Sequence, residues 1–176
     1  VSNTIKVTGN ITDAAIQIAN LTAAIINNNY ISITTGNTAA VKAISFNQNN
    51  VDIKNNFILF TTDYAHSGIY FGLSSEKINI IGNTILNTGG TQGKGIDGSY
   101  SGCPSYSVIG DNIIFQFETA IDMSAGGMSH TIIQNNLIYF PKRAIYIIGS
   151  SESISILNNN AIAGWDGGEG ILFGDA

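Results

Sequence analysis

Apolar and polar positions alternate along this chain in short runs, and the runs recur. An isoleucine-rich doublet is followed by two polar residues, often with asparagine, and then by another apolar residue. The copies are AIINNNYI (Ala24–Ile31), VDIKNNFI (Val51–Ile58), INIIGNTI (Ile78–Ile85), YSVIGDNI (Tyr106–Ile113), TIIQNNLI (Thr131–Ile138) and ISILNNNAI (Ile154–Ile162). Their starts are 27, 27, 28 and 25 residues apart, then 23 or 24. A weaker motif lies between them: a small residue, Ile, any residue, then usually an apolar one. Its central isoleucines are Ile16, Ile44, Ile69, Ile96, Ile121, Ile145 and Ile171, spaced by 28, 25, 27, 25, 24 and 26 residues. Two motifs advancing together define a repeat whose units bury their apolar faces only by stacking.

Each unit contains at least two short strands of period 2, with alternate residues turned inwards. Helical periodicity nowhere persists for three turns. A leucine-rich horseshoe has a similar period but one strand per repeat and many leucines, whereas the return element here carries a second strand and Leu is rare. A hexapeptide β-helix needs regular six-residue steps, which the uneven connections break. The pattern predicts an all-β, single-stranded parallel β-helix of about seven coils of 23–28 residues, spanning 1–176 as one domain. With coils ~4.8 Å apart, the rod is about 30–35 Å long. Neither end reads as the polar cap a solenoid needs, so the expectation is a piece of a longer protein.

Composition agrees. Thirty-one of the 176 residues are Ile and 21 are Asn, suiting stacked branched side chains between turns that tolerate left-handed backbone. Asn10, Asn29, Asn56, Asn83, Asp111, Asn135 and Asn159 fall at one bend of successive coils, where amides can bond from coil to coil as a ladder. The net charge is −5 and only Lys142 and Arg143 are adjacent cations, so no basic stripe exists for nucleic acid. No 18-residue apolar run spans a membrane, and the single Cys103 excludes an intrachain disulfide and a cysteine metal cluster.

The I-x-I-x-[NG]-N-x-I copies resemble the right-handed parallel β-helix superfamily of pectate-lyase-like proteins, phage tailspikes and surface β-helix repeat proteins. The resemblance covers nearly the whole chain and implies right-handed winding, in line with the crossover rule for parallel strands. It further implies carbohydrate lyases, glycosidases and epimerases, or else non-catalytic fibres and adhesins, in secreted, cell-surface or virion settings. No catalytic signature of one member family is present to carry over.

Register supplies the candidate chemistry. The residues following the central isoleucines face outwards: Gln17, Ser45, Tyr70, Asp97, Asp122, Tyr146 and Leu172. Asp97 and Asp122 then sit on adjacent coils with Cβ atoms ~5 Å apart. Two carboxyls that close favour keeping one proton between them, which sets an acid beside a base or nucleophile. Glu118 joins them as a third acidic candidate, and Tyr70, Lys94, Arg143, Tyr146 and His66 as substrate-binding ones. Trp165, in a glycine-rich loop, is a candidate sugar platform. A lyase would use a cation to neutralise a uronate and a base to take the C–H proton; a glycosidase would use the carboxylates directly. The connections Ser32–Ala43, Leu59–Gly68 and Leu86–Gly95 are longest and would wall a groove over this face.

The leading expectation is a lyase or glycosidase acting on a surface or acidic polysaccharide, and the alternative a structural or adhesive fibre. No cofactor is required, although Asp97 and Asp122 could hold a divalent cation such as calcium. A homotrimer burying one apolar face is a further arrangement the pattern admits.

Overall fold

The computed structural model describes residues 2–9, 13–19, 21–34, 40–62, 64–72, 75–99, 104–124, 128–149, 152–162 and 168–174. Trp165, Cys103 and Asn10 lie outside them.

The first coil comprises β1 (Thr4–Thr8), β2 (Ala14–Ile18) and β3 (Ala24–Asn27). The second and third comprise β4 (Tyr30–Thr34), β5 (Lys42–Phe46), β6 (Val51–Lys54), then β7 (Phe57–Phe60), β8 (Ser67–Phe71), β9 (Ile78–Ile81). The fourth and fifth are β10 (Thr84–Asn87), β11 (Lys94–Asp97), β12 (Val108–Gly110), then β13 (Ile113–Phe115), β14 (Thr119–Met123), β15 (Ile132–Gln134). The sixth is β16 (Leu137–Tyr139), β17 (Arg143–Ile148), β18 (Ser155–Leu157), followed by β19 (Asn160–Ile162) and β20 (Glu169–Gly174). Every third strand joins the same sheet, giving two seven-stranded sheets and one six-stranded sheet, and all the pairings are parallel. The fold is a parallel β-solenoid of between six and seven turns.

Each coil thus carries three strands where the sequence pattern resolved two. The longer motif straddles two of them. In VDIKNNFI the chain runs along β6, bends at Asn55–Asn56 and continues as β7 in the first sheet. A pair of Asx residues interrupts the alternation without breaking it, which hides the corner from a period-2 reading.

That corner contains two asparagine columns. Asn28, Asn55, Gly82, Asp111, Asn135 and Asn158 take left-handed backbone angles, with φ between 52° and 66°. The next residues, Asn29, Asn56, Asn83, Asn112, Asn136 and Asn159, form the amide ladder. The Asn56 Oδ1 accepts from the Asn29 backbone N–H and from its Nδ2, while the Asn56 Nδ2 donates to Ile26 O and to Asn83 Oδ1. The same set repeats at Asn83 and Asn112. Asp111 and Asn135 are therefore turn residues one position short of the ladder. Its first described member is Asn3, whose Nδ2 donates to Asn29 Oδ1.

Inside the cylinder, isoleucines stack by register. Ile31, Ile58, Ile85, Ile114 and Ile138 form one buried column and Ile44, Ile69, Ile96, Ile121 and Ile145 another. A third runs through Ile53, Ile80, Ile109 and Ile133. Each such side chain contributes about 1.5–3 kcal/mol of apolar burial. At Gly68 and Gly95, before Ile69 and Ile96, crowding dictates a residue without a Cβ. A Cβ on Gly68 would lie 2.5 Å from Gly95 O and from Ile85 Cγ2, so the corner leading into the second sheet closes only around small side chains.

Candidate functional site

The outward column of the second sheet has the order that its register requires. Ser45 pairs with Tyr70, Tyr70 with Asp97, Asp97 with Asp122 and Asp122 with Tyr146. Three residues earlier on each strand, Lys42, Ser67, Lys94, Thr119 and Arg143 form a parallel column. Between and above these columns lies a groove of about 470 Å³. Lys42, Ser67, Tyr70, Lys94, Asp97, Thr119, Asp122 and Arg143 line it, and Ala40, Ala65, His66, Gly93 and Glu118, from the connections entering the sheet, form its wall.

Lys94 organises the centre. Its Nζ lies 2.9 Å from Asp122 Oδ2 and 3.4 Å from Asp97 Oδ1, so a single ammonium bridges both carboxylates. The two oxygens can be no farther apart than those lengths laid end to end, about 6.3 Å. Lys94 also reaches Ser99 Oγ at 2.5 Å. Among the described residues, no three His, Cys, Asp or Glu side chains converge as a metal-ligand set.

The carboxylates differ in how firmly they are held. Asp97 accepts from the Ser99 N–H and Ser99 Oγ on Oδ1, at 3.1 and 2.6 Å, and from Ser67 Oγ on Oδ2 at 2.7 Å. Asp122 accepts from the Ser124 N–H at 3.0 Å and from Lys94. Both acids thereby close an Asx-turn at the exit of their strand, each within a D-x-S triplet. They are 6% and 4% exposed, so they form the floor of the groove rather than its rim.

Cations flank the pair. The Lys42 ammonium sits 4.3 Å from the Tyr70 ring centroid and 3.1 Å from Asp13 Oδ1. The Arg143 guanidinium sits 4.9 Å from the Tyr146 centroid, with its Nε 3.0 Å from Glu169 Oε2. Glu118 is turned to Lys142 at 3.5 Å in an exposed pair on the wall. It is not among the hydrogen-bonding or ion-pair partners of the aspartates.

His66, a substrate-binding candidate, belongs to the wall of the groove. It is fully buried, stacked on Phe60 at a centroid distance of 4.8 Å. Its Nδ1 accepts the Val41 backbone N–H, which leaves the proton on Nε2 for the bond to Thr62 Oγ1 at 3.1 Å. The imidazole fastens the wall of the groove to the core. His130 lies exposed at a left-handed corner and stacks on Tyr106 at 4.7 Å.

Sequence reasoning missed Lys42 and Ser99. Lys42 precedes Ile44 by two residues, the offset that singles out Lys94, and the D-x-S triplets at Asp97 and Asp122 are the local signal for both serine contacts.

Fold and groove together define a parallel β-solenoid with a charged channel over one sheet, an architecture consistent in general with the pectate-lyase-like and tailspike-like superfamilies. Comparison with known proteins finds no matching family model, no matching curated protein and no matching solved structure. Among the described residues, no helix is long and apolar enough to cross a membrane.

Proposed function

We propose that the groove binds an extended glycan and hydrolyses it with Asp97 and Asp122. The observation that carries this reading is the pairing of two carboxylates in register, with oxygens within about 6.3 Å, on the floor of an open channel. In glycoside hydrolysis one carboxyl protonates the leaving oxygen while the other attacks the anomeric carbon, and water then releases the sugar. Carboxyl groups about 5–5.5 Å apart serve the retaining route, and inverting enzymes need about 6.5–9.5 Å to admit a water. The bound on the Asp97–Asp122 separation favours retention. Lys42 and Arg143, held over the Tyr70 and Tyr146 rings, would offer hydrogen bonds to the sugar hydroxyls. A lyase is less well supported, because the central lysine already serves two carboxylates and is no spare cation for a uronate. Such substrates place the protein at a cell surface, outside the cell or on a virion.

A non-catalytic scaffold is the second reading, favoured by the near-complete burial of both aspartates and by their Asx-turns. Incubation with a panel of polysaccharides, read for reducing ends and for unsaturated products, separates the two. Hydrolysis lost in Asp97→Asn and Asp122→Asn supports the enzyme, and no cleavage of any glycan supports the scaffold.

A further inference from the structure

The charge distribution along the groove specifies how the ligand's own charges are spaced. This inference rests on the glycan reading of the same site and concerns what kind of glycan enters it. At the centre, Asp97 and Asp122 share the one ammonium of Lys94, so the middle of the floor has no cation to spare for an anionic sugar. On either side stands a cation. Lys42 and Arg143 occupy the same outward column as Lys94, two strands before it and two strands after it. Each rests on a tyrosine face, Lys42 on Tyr70 and Arg143 on Tyr146, which holds the charge upright over the channel.

Their present partners are weak competitors for a ligand. The Lys42–Asp13 and Arg143–Glu169 pairs have both side chains about one-third to one-half exposed. Ion pairs in that setting contribute little, so an anionic ligand can take over either cation. The central pair is different, since its carboxylates are almost wholly buried and Lys94 is committed to them.

We infer that the groove selects an acidic heteropolysaccharide of sparse charge: neutral where the aspartates act, with anionic groups on both sides. Lys42 and Arg143 are four strand steps apart, with the Lys42 ammonium held between Tyr70 on the next strand and Asp13 before the preceding one. The anions it matches are therefore about four steps apart, ~19 Å. An extended pyranose chain advances by about one such step per sugar, so the charge recurs once in about four sugars. A polyuronate, charged on every sugar, would set a carboxylate against Asp97 and Asp122 and is disfavoured by like-charge repulsion.

Calorimetric titration with three probes tests this: oligosaccharides of deacylated gellan, with one glucuronate in each four-sugar repeat, oligogalacturonate, and neutral maltohexaose. The expected result is gellan fragments binding at least tenfold more tightly than either of the others. Lys42→Gln and Arg143→Gln should each weaken gellan binding at least threefold and flatten its salt dependence, with unchanged thermal unfolding. In Asp97→Asn/Asp122→Asn, the preference over oligogalacturonate should shrink. Equal or tighter binding of oligogalacturonate, indifference to both cation variants, or binding of none of the three would overturn the inference. The two readings fail separately: cleavage of polyuronates would sink the spacing and keep the hydrolase, whereas gellan binding without cleavage of any glycan would do the reverse.

Discussion

Asp97 and Asp122 face each other across β11 and β14 and are bridged by a single cation, the Lys94 ammonium at 3.4 and 2.9 Å. Two nearly buried carboxylates this close are compatible with a stable fold because that ammonium and the two Asx-turns surround them with donors.

Lys94→Met should therefore lower stability by about 2–3 kcal/mol, since it strands two buried charges, with the partial exposure of Lys94 moderating the loss. Adding Asp122→Asn should recover more than half of it. Urea unfolding of the single and double variants measures the coupling, and additive losses would show that Lys94 is not their shared counter-ion.

The two asparagine columns should respond differently to substitution. Asn136→Ala removes the Oδ1 that accepts two bonds from buried Asn112, and its cost is about 2–3 kcal/mol. Asn135→Gly keeps the left-handed angle of φ 55° and loses one exposed contact to Asp111, so unfolding should shift by under about 0.5 kcal/mol. Equal effects would refute the assignment of the ladder to Asn136.

His66→Ala should destabilise by about 2–4 kcal/mol, because it empties a fully buried position stacked on Phe60 and leaves the Val41 N–H without its acceptor. Thermal unfolding checks this. A stable H66A protein that fails only in glycan binding would show that His66 serves the ligand rather than the fold.

Asp52 gives the acid side of the stability profile. Burial pushes its carboxyl up, but hydrogen bonds from Lys54 and Asn79 and the Lys54 charge outweigh that and hold it below the usual carboxylate range. A depressed folded-state value means stability that is fully present above the unfolded value, about 3.9, and lost as the pH falls through the folded one. The stability gap between wild type and Asp52→Asn should accordingly be constant near neutrality and close below about pH 4. A gap that persists in acid would contradict it.

What the sequence made legible follows from how many signals fixed each position. The central isoleucines pinned the second sheet, so the pairing of Asp97 with Asp122 and the flanking tyrosines could be read directly. At the corners one residue type does two jobs. Asn serves both the left-handed position and the ladder, so Asp111 and Asn135 were exchanged with Asn112 and Asn136. His66 reads as a polar wall residue, but Val41 and Thr62 supply local partners that make its burial favourable. Lys94 reads as a sugar-binding cation beside two acids, and only coordinates show one ammonium engaged by both.

Catalysis by the paired carboxylates is tested most directly by the anomeric configuration of the first product, followed by NMR on whichever glycan of the panel is cut. The prediction is retention, with the rate falling at least about a thousandfold in both Asp97→Asn and Asp122→Asn while binding persists. Inversion would contradict the short carboxylate separation. Unsaturated products, or cleavage undiminished in both variants, would contradict the role of the pair itself.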